Sequence, residues 1–227
     1  MRARREQICP EPESSQLQCT TRAPGGIASR RGKIRRVARR LHADGCVLAV
    51  IDVQDGFLRK LPEDEAAALV DRIRWVCRLA DWLRVPVVVT EEEPKLNGEI
   101  ASPVKDALAA GTIRHVKPVF DLAACPEILA DVSRDDRDTA VLCGLETDVC
   151  VAQSALGLLE AGKRVVVVED AVASPGTAHE QGLARMSGGG VELIGLKGLA
   201  YEWLRTVERA TEFGVATQRD APEGIEL

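Results

Sequence analysis

The sequence predicts an α/β fold, a three-layer α/β/α sandwich built on a mostly parallel, doubly wound sheet of six strands. Short apolar segments of strand length alternate with longer amphipathic segments between residues 46 and 210. This alternation is typical of βαβ units, whose strands are covered on both faces. The chain has 227 residues, of which 45% are hydrophobic and 29% charged. This length and this hydrophobic fraction are enough for one α/β domain with a substantial core.

The predicted elements follow from apolar runs and helix signals, taken in chain order. The first strand is apolar on both faces, and the long helix after it has an acidic start and an apolar face that includes Leu69, Ile73 and Val76. Gly162 ends the helix that follows the fourth strand. The predicted strands are 46–53, 86–90, 113–117, 139–144, 164–170 and 191–196, and the predicted helices are 62–83, 104–110, 126–133, 148–161, 177–186 and 199–210.

The predicted hydrolase domain covers residues 44–210, with a C-terminal tail at 211–227 and a flexible basic tail at 1–43. The N-terminal segment holds eleven basic and three acidic residues and has no sustained apolar period, so it cannot bury enough surface to fold alone. Three interpretations stay open for it. The first is a flexible tail without a function of its own, or a start codon placed too far upstream. The second is an Arg-rich transit peptide. The third is a tether for nucleic acid or an anionic surface.

Composition argues against several classes of function. No apolar run reaches the roughly 18–20 residues that span a bilayer, and the net charge of −5 leaves the domain acidic, so we expect neither membrane insertion nor nucleic-acid binding by the domain. The seven cysteines form no Cys-x-x-Cys pair and the three histidines are isolated. We therefore expect a cytoplasmic protein without a zinc site or other cofactor.

Three polar residues follow the ends of three predicted strands. In open α/β sheets, ligands bind beyond the carboxyl ends of the strands, so Asp52, Lys117 and Cys150 should lie on one rim. A helix N-terminus and a nearby ammonium should lower the pKa of the Cys150 thiol, and Asp52 is placed to act as general base. Taken singly, Cys150 is equally a small buried residue and Lys117 an ordinary edge residue, so the hypothesis depends on all three.

Three sequence motifs carry a family resemblance. They are AVIDVQDGFL (Asp-x-Gln-x-x-Phe), HVKP, and VLCGLETDVCV (Gly-x-x-Thr-Asp-x-Cys-Val). Their order and spacing resemble those of the isochorismatase-like cysteine hydrolases over roughly residues 46–200. The metal-binding nicotinamidases of this family carry an Asp-x-His cluster after the second strand, where this chain reads TEEEPK. The chain therefore looks more like an uncharacterised branch of the family.

The resemblance implies a cysteine amidohydrolase that cleaves a non-peptide C–N bond. Cys150 would form a thioester, Asp52 and Lys117 would handle the protons, and a cis peptide before Glu146 would aim the N–H groups of Glu146 and Cys150 at the oxyanion. The implied partners are a small-molecule substrate and further copies of the chain. The same three motifs carry both the implied fold and the catalytic trio, Asp-Lys-Cys.

The predicted substrate contacts are Phe57, Glu91 and Glu92, which the sequence places on the catalytic rim. A divalent ion held by a pair of these glutamates is a weaker alternative. Two other functions stay open, a non-covalent isochorismatase-type hydrolase that uses Asp52 on a vinyl ether, and a non-enzymatic interaction protein that retains the fold. The sequence does not identify the substrate or the number of subunits.

Overall fold

The computed structural model describes residues 7–8 and 39–226, and these form one parallel sheet with helices on both faces. The predicted fold class is confirmed, and each of the six predicted strands is present. The strands are β1 (Gln7–Ile8), β2 (Cys46–Ile51), β3 (Val87–Glu92), β4 (Arg114–Lys117), β5 (Thr139–Leu145), β6 (Arg164–Ala173) and β7 (Glu192–Ile194).

Helices cover both faces of this sheet. They are α1 (Asp55–Leu58), α2 (Glu63–Leu83), α3 (Pro94–Asn97), α4 (Ser102–Asp106), α5 (Pro126–Val132), α6 (Ala152–Glu160), α7 (Ala178–Gly189), α8 (Leu196–Leu204) and α9 (Val207–Ala216). A π-helical turn, Thr147–Val151, connects β5 to α6. Successive side chains of a strand point to opposite faces, so Leu48 and Val50 pack in the core beneath α2 and α8, whereas Val47 and Ala49 pack beneath α5 and α6. Among the described residues, no helix is both long and apolar enough to cross a bilayer.

The strand order is β1-β4-β3-β2-β5-β6-β7, with every pair parallel. The chain winds outward from β2 through β3 to β4, then returns to the other side of β2 and winds outward through β5, β6 and β7. The direction of winding therefore reverses between β2 and β5. In open α/β sheets such a reversal leaves a crevice beyond the carboxyl ends of the strands, where ligands bind. Asp52 follows β2 directly, so it lies at this crevice.

The sheet has one strand more than the sequence predicts. The two residues of β1 belong to the segment predicted as a flexible tail, yet they pair with His115 and Val116 of β4. A two-residue strand has too short a pattern for recognition from the sequence. The rest of the predicted tail, as far as residue 38, lies outside the described residues.

The packed core extends beyond both predicted domain boundaries. Leu41 is 2% exposed, although the domain was predicted to begin at residue 44. At the other end, Phe213 lies beyond the predicted boundary at residue 210, but its ring is fully buried and lies 5.4 Å from that of Trp75. Aromatic burial of this size contributes strongly to a core, so these two flanking segments stabilise the domain.

The closing helix, predicted as one element at 199–210, consists of two helices. Arg205 adopts a positive φ of 73° between α8 and α9, which breaks the helical path. Thr206 then caps α9, because its side-chain oxygen accepts a hydrogen bond from the N–H of Arg209 at 3.2 Å. The break turns α9 so that Phe213 reaches the rings of Trp75 and Trp82.

Replacing Gly144 should test the close approach of β5 to β2. Gly144 has φ +125°, and an added Cβ would lie 2.0 Å from the carbonyl oxygen of Ile51. We expect Gly144→Ala to lower the free energy of unfolding by about 3 kcal/mol or more, since the backbone of β2 must move. Gly162→Ala is the matched control, with φ +86° but nothing within 4 Å, and should cost only about 1 kcal/mol. Urea unfolding measures both, and equal losses would contradict the prediction.

Candidate active site

A buried ion pair joins the ends of β2 and β4. The side chains of Asp52 and Lys117 are both 0% exposed, and Lys117 Nζ lies 2.7 Å from Asp52 Oδ2. The other carboxylate oxygen, Oδ1, accepts a hydrogen bond from the Thr90 hydroxyl at 2.8 Å. The ammonium also donates to the carbonyl oxygens of Val119, at 3.0 Å, and Phe120, at 3.4 Å. Each charge is therefore paired and hydrogen-bonded, which is the condition for burying it.

The ion pair favours the charged form of Lys117. Burial by itself lowers the pKa of Lys117, but the negative charge of Asp52 and of the other acidic groups at the site outweighs burial and raises that pKa above its ordinary value. Lys117 is therefore a permanent cation at neutral pH, directed at the carboxylate of Asp52. Asp52 itself has φ +50°, a left-handed conformation. Such a conformation is uncommon outside glycine and turns the chain sharply at the end of β2.

Cys150 lies in the π-helical turn and is 2% exposed. Its Sγ donates a hydrogen bond to Glu92 Oε2 at 3.1 Å. Burial and the charge of Asp52 raise the pKa of the Cys150 thiol, the charge of Lys117 lowers it, and the hydrogen bond and charge of Glu92 raise it further. The raised pKa corrects the expectation of a lowered one, and the resting residue is a protonated thiol that needs a base.

Glu92 owes its position to the length of β3. The strand was predicted to end at Thr90, but it continues to Glu92, which pairs with Lys117 of β4. Because side chains alternate along a strand, Thr90 and Glu92 point to the same side, where they contact Asp52 and Cys150. Lys117 Nζ and Glu92 Oε2 are 4.0 Å apart. The structure thus brings a second carboxylate to the cluster formed by the predicted trio.

Glu91 points to the opposite side of the strand. Its Oε1 accepts a hydrogen bond from the N–H of Ile100 at 2.7 Å and pairs with the guanidinium of Arg114 at 2.9 Å. Glu91 is 4% exposed, so this carboxylate belongs to the packing of the loop after β3. Glu91 therefore lies outside the cluster around Cys150, because residue 91 is in a strand and not a loop, and its contact with substrate stays a prediction.

Gln54 fixes the backbone of Glu92, a role that the sequence did not reveal. The Gln54 amide oxygen accepts the N–H of Glu92 at 2.7 Å, and its amide nitrogen donates to the Glu92 carbonyl at 3.0 Å and the Gly98 carbonyl at 2.5 Å. Gln54 is completely buried, so these bonds are shielded from water. The glutamine of the Asp-x-Gln-x-x-Phe motif therefore connects the segment after β2 to the end of β3.

The turn that carries Cys150 is held by α7 and the end of β6. The Thr147 hydroxyl and His179 Nδ1 are hydrogen-bonded at 3.0 Å, and the Ser174 hydroxyl donates to Asp148 Oδ1 at 2.6 Å. Gly182 of α7 packs directly on this turn, since a Cβ there would lie 2.8 Å from the Cα of Asp148. These contacts fix the position of the turn and therefore of Cys150.

The peptide bond between Leu145 and Glu146 is cis, as the family resemblance implies. Lys60 pairs with Glu146 at 3.0 Å and lies over the ring of Phe57, 4.7 Å from its centroid. Phe57 is 6% exposed and belongs to the hydrophobic core, and its contact with substrate stays a prediction. The oxyanion hole formed by the N–H groups of Glu146 and Cys150 stays a prediction.

The cluster contains a set of atoms that suits a cation. One donor atom each from Asp52, Glu92 and Cys150 lie within 4.8 Å of one another. The ammonium of Lys117 already supplies positive charge to both carboxylates, so these groups fit an acid–base site better than a metal centre. An ion shared by Glu91 and Glu92 does not fit, because these side chains point to opposite faces.

Comparisons with known proteins agree with this fold. The family model described as the isochorismatase domain matches residues 46–197. Isochorismatase domain-containing protein 2 of Xenopus laevis is 30% identical over 177 residues, covering 75% of this chain and 81% of that protein. Among solved structures, the MAR1 ribonuclease of Caenorhabditis elegans is 25% identical, with a TM-score of 0.71 over 83% of this chain and 98% of that one. The YcaC hydrolase of Escherichia coli, described as octameric and of unknown specificity, is 20% identical with a TM-score of 0.71 over 82% and 98%.

Separating the buried ion pair should show coupling between its partners. We expect Lys117→Met to lower the free energy of unfolding by about 3–5 kcal/mol, because Asp52 is left buried and unpaired. The double variant Asp52→Asn, Lys117→Met should lose less than the sum of the single losses. Since the pKa of Lys117 is raised on folding, its stabilisation is present below about pH 10 and is lost as the pH rises through the folded-state pKa. Urea unfolding of the native protein, the two single variants Lys117→Met and Asp52→Asn, and the double variant at pH 7 measures the coupling. Additive losses would contradict it.

Proposed function

The chain belongs to the isochorismatase family, and on that premise we propose that it is a hydrolase that cleaves the C–N bond of a small amide-type substrate through a thioester on Cys150. One observation carries the proposal. The Cys150 thiol is hydrogen-bonded to a carboxylate and lies in one cluster with the charged pair of Asp52 and Lys117. A nucleophile, a base and a fixed cation are the parts that acyl transfer needs.

The proposed reaction has two halves. In the first, the Cys150 thiol loses its proton to a carboxylate of the cluster while sulfur attacks the carbonyl carbon, and the N–H groups of Glu146 and Cys150 stabilise the oxyanion. The C–N bond then breaks and the leaving nitrogen takes up a proton. In the second half, water attacks the thioester and releases the acid and the free thiol. Lys117 stays paired with Asp52 throughout.

The charges of the cluster favour an amide over a phosphodiester. The C. elegans relative is named a ribonuclease, but in this chain two carboxylates, Asp52 and Glu92, surround one ammonium. Like charges at these separations disfavour the approach of a phosphate group. RNA cleavage is therefore not part of the proposal, and the predicted absence of nucleic-acid binding by the domain stands as an expectation.

We also propose that the protein self-associates, as the related octameric YcaC does. The likeness to YcaC shows a common fold, so the number of subunits in this protein is a matter for measurement. Analytical ultracentrifugation of the full chain gives that number directly. The cytoplasmic location inferred from the cysteine pattern stays a prediction.

Removing the thiol should abolish turnover. We expect Cys150→Ala and Cys150→Ser to lose at least about a thousandfold in ammonia release from whichever small amide, ureido or carbamoyl compound the native protein hydrolyses, because the covalent route is closed. Intact-mass measurement after rapid acid quench should show the acyl adduct in the native protein and none in the variants. Cys46→Ala is the control, since Cys46 is also buried but begins β2, at the opposite end from Asp52.

Two outcomes would contradict the thioester. Full amide turnover by Cys150→Ala would show that the thiol is not the nucleophile. Hydrolysis of isochorismate by Cys150→Ala, at the rate of the native protein, would instead identify the non-covalent vinyl ether reaction.

A further inference from the structure

We propose that Glu92 is a further catalytic residue of this site, which takes the proton of the Cys150 thiol and restricts the site to substrates that are uncharged or cationic beside the scissile bond. This inference rests on the proposed role of Cys150 as nucleophile. It transfers the role of base from Asp52, where the motif places it, to a residue that the sequence suggested only as a substrate contact.

The hydrogen bonds divide the two carboxylates between two tasks. Asp52 Oδ2 pairs with Lys117 at 2.7 Å and Oδ1 accepts the Thr90 hydroxyl at 2.8 Å. Glu92 Oε2 instead accepts the thiol of Cys150 at 3.1 Å and lies 4.0 Å from the Lys117 ammonium. Proton transfer needs the base within hydrogen-bond reach of the proton. Glu92 meets this requirement at the sulfur, and Asp52 serves to hold Lys117.

Hydrogen bonds to its backbone fix the position of Glu92. Gln54 bonds both its N–H and its carbonyl, and the Asn97 side chain donates to the same carbonyl at 3.0 Å. Pairing with Lys117 across the strands fixes its register. A residue held at this precision is suited to repeated proton transfer, because the distance to sulfur is set by the fold and not by the substrate.

The exposure of the four side chains shows where substrate meets the cluster. The side chains of Asp52 and Lys117 are 0% exposed and Cys150 is 2% exposed, whereas the Glu92 side chain is 17% exposed. A substrate that reaches the sulfur therefore passes the Glu92 carboxylate. The proton that Glu92 takes from the thiol is thus available to the leaving nitrogen on the open side of the cluster.

In the proposed reaction, Glu92 accepts and then gives up a proton twice. The S–H bond breaks, its proton goes to Glu92, the S–C bond forms, and the carbonyl electron pair moves to oxygen. The oxyanion collapses, the C–N bond breaks, and the Glu92 carboxylic acid protonates nitrogen. Water then gives a proton to Glu92 as it attacks the thioester, and the sulfur recovers that proton when the C–S bond breaks. The net reaction is amide plus water giving acid plus ammonia or amine.

The charges of the cluster point to the substrate class. Two carboxylates face one ammonium, so the cluster with a protonated thiol carries one net negative charge. Unit charges about 5 Å apart near a protein surface interact strongly enough to change binding by more than about tenfold. A substrate with a carboxylate next to its amide is therefore disfavoured. A neutral amide, a carbamoyl compound or an amide with a neighbouring ammonium group fits these charges.

The test is the pH dependence of Cys150 alkylation in the full chain. The reagents are iodoacetamide, which is neutral, and iodoacetate, which is anionic, and peptide mass spectrometry follows Cys150. The variants are Glu92→Gln, the adjacent control Glu93→Gln, and Asp52→Asn. Glu93 is exposed, so its variant removes the same charge outside the cluster. The charged or titratable groups around the thiol are Glu92 from β3, Asp52 after β2 and Lys117 from β4, with His179 of α7 bonded to Thr147 of the same turn.

We expect a flat iodoacetamide rate between about pH 6 and 8 in the native protein and in Glu93→Gln, because the thiol passes its proton to the Glu92 carboxylate that it contacts and not to solvent. In Glu92→Gln the rate should rise about tenfold per pH unit, since the thiol then loses its proton to solvent. The preference for iodoacetamide over iodoacetate should fall about tenfold in Glu92→Gln and stay unchanged in Glu93→Gln. If Glu92→Gln does not fold, Glu92→Asp should keep the flat profile at a lower rate.

Three outcomes would overturn the proposal. They are a flat profile retained in Glu92→Gln, a flat profile lost in Asp52→Asn but not in Glu92→Gln, and a native thiol inert to both reagents below pH 8. The first two leave the thioester reaction intact, because ammonia release that depends on Cys150 is measured separately. Loss of that dependence with the Glu92 effect preserved would contradict the proposed function alone.

Discussion

The buried ion pair of Asp52 and Lys117 is the constraint around which the active-site cluster is arranged. Two charges without solvent are tolerated only when they meet at hydrogen-bond distance and their remaining atoms find partners. Asp52 follows β2 and Lys117 ends β4, so the pair spans the intervening strand β3. The hydroxyl of Thr90 on β3 completes it. A shift of one residue in either strand would turn a charged side chain into the core on the other face.

The same pair influences the pKa of the Cys150 thiol. The positive charge of Lys117 is shared first with Asp52, at 2.7 Å, so its effect on Cys150 is partly cancelled. Burial of the sulfur and the charges of two carboxylates then outweigh it and raise the pKa of the thiol. A helix N-terminus and a nearby lysine are therefore not sufficient to make a thiolate when an acid lies closer to the lysine. The carboxylate that accepts the hydrogen bond of this thiol is that of Glu92.

The sequence predicts the trio because strand ends are local features. Asp52, Lys117 and Cys150 each follow an apolar run, and parallel strands place their carboxyl ends at one edge. The sequence does not show which of Glu91 and Glu92 faces the site, because three consecutive glutamates show no alternation of polar and apolar residues. The end of β3 is set by pairing with β4 and by the Gln54 amide, both of which are contacts between distant parts of the chain.

Gln54 connects the two parts of the cluster. It lies two residues beyond Asp52, so the segment that supplies one partner of the ion pair also bonds the backbone of Glu92. Displacement of this segment would change the distance from Asp52 to Lys117 and that from Glu92 to Cys150 together. The fixed cation and the proton acceptor are thus mechanically coupled. In this chain the glutamine of the Asp-x-Gln motif acts by fixing the backbone of Glu92, and Glu92, which the motif does not include, contacts the sulfur of Cys150.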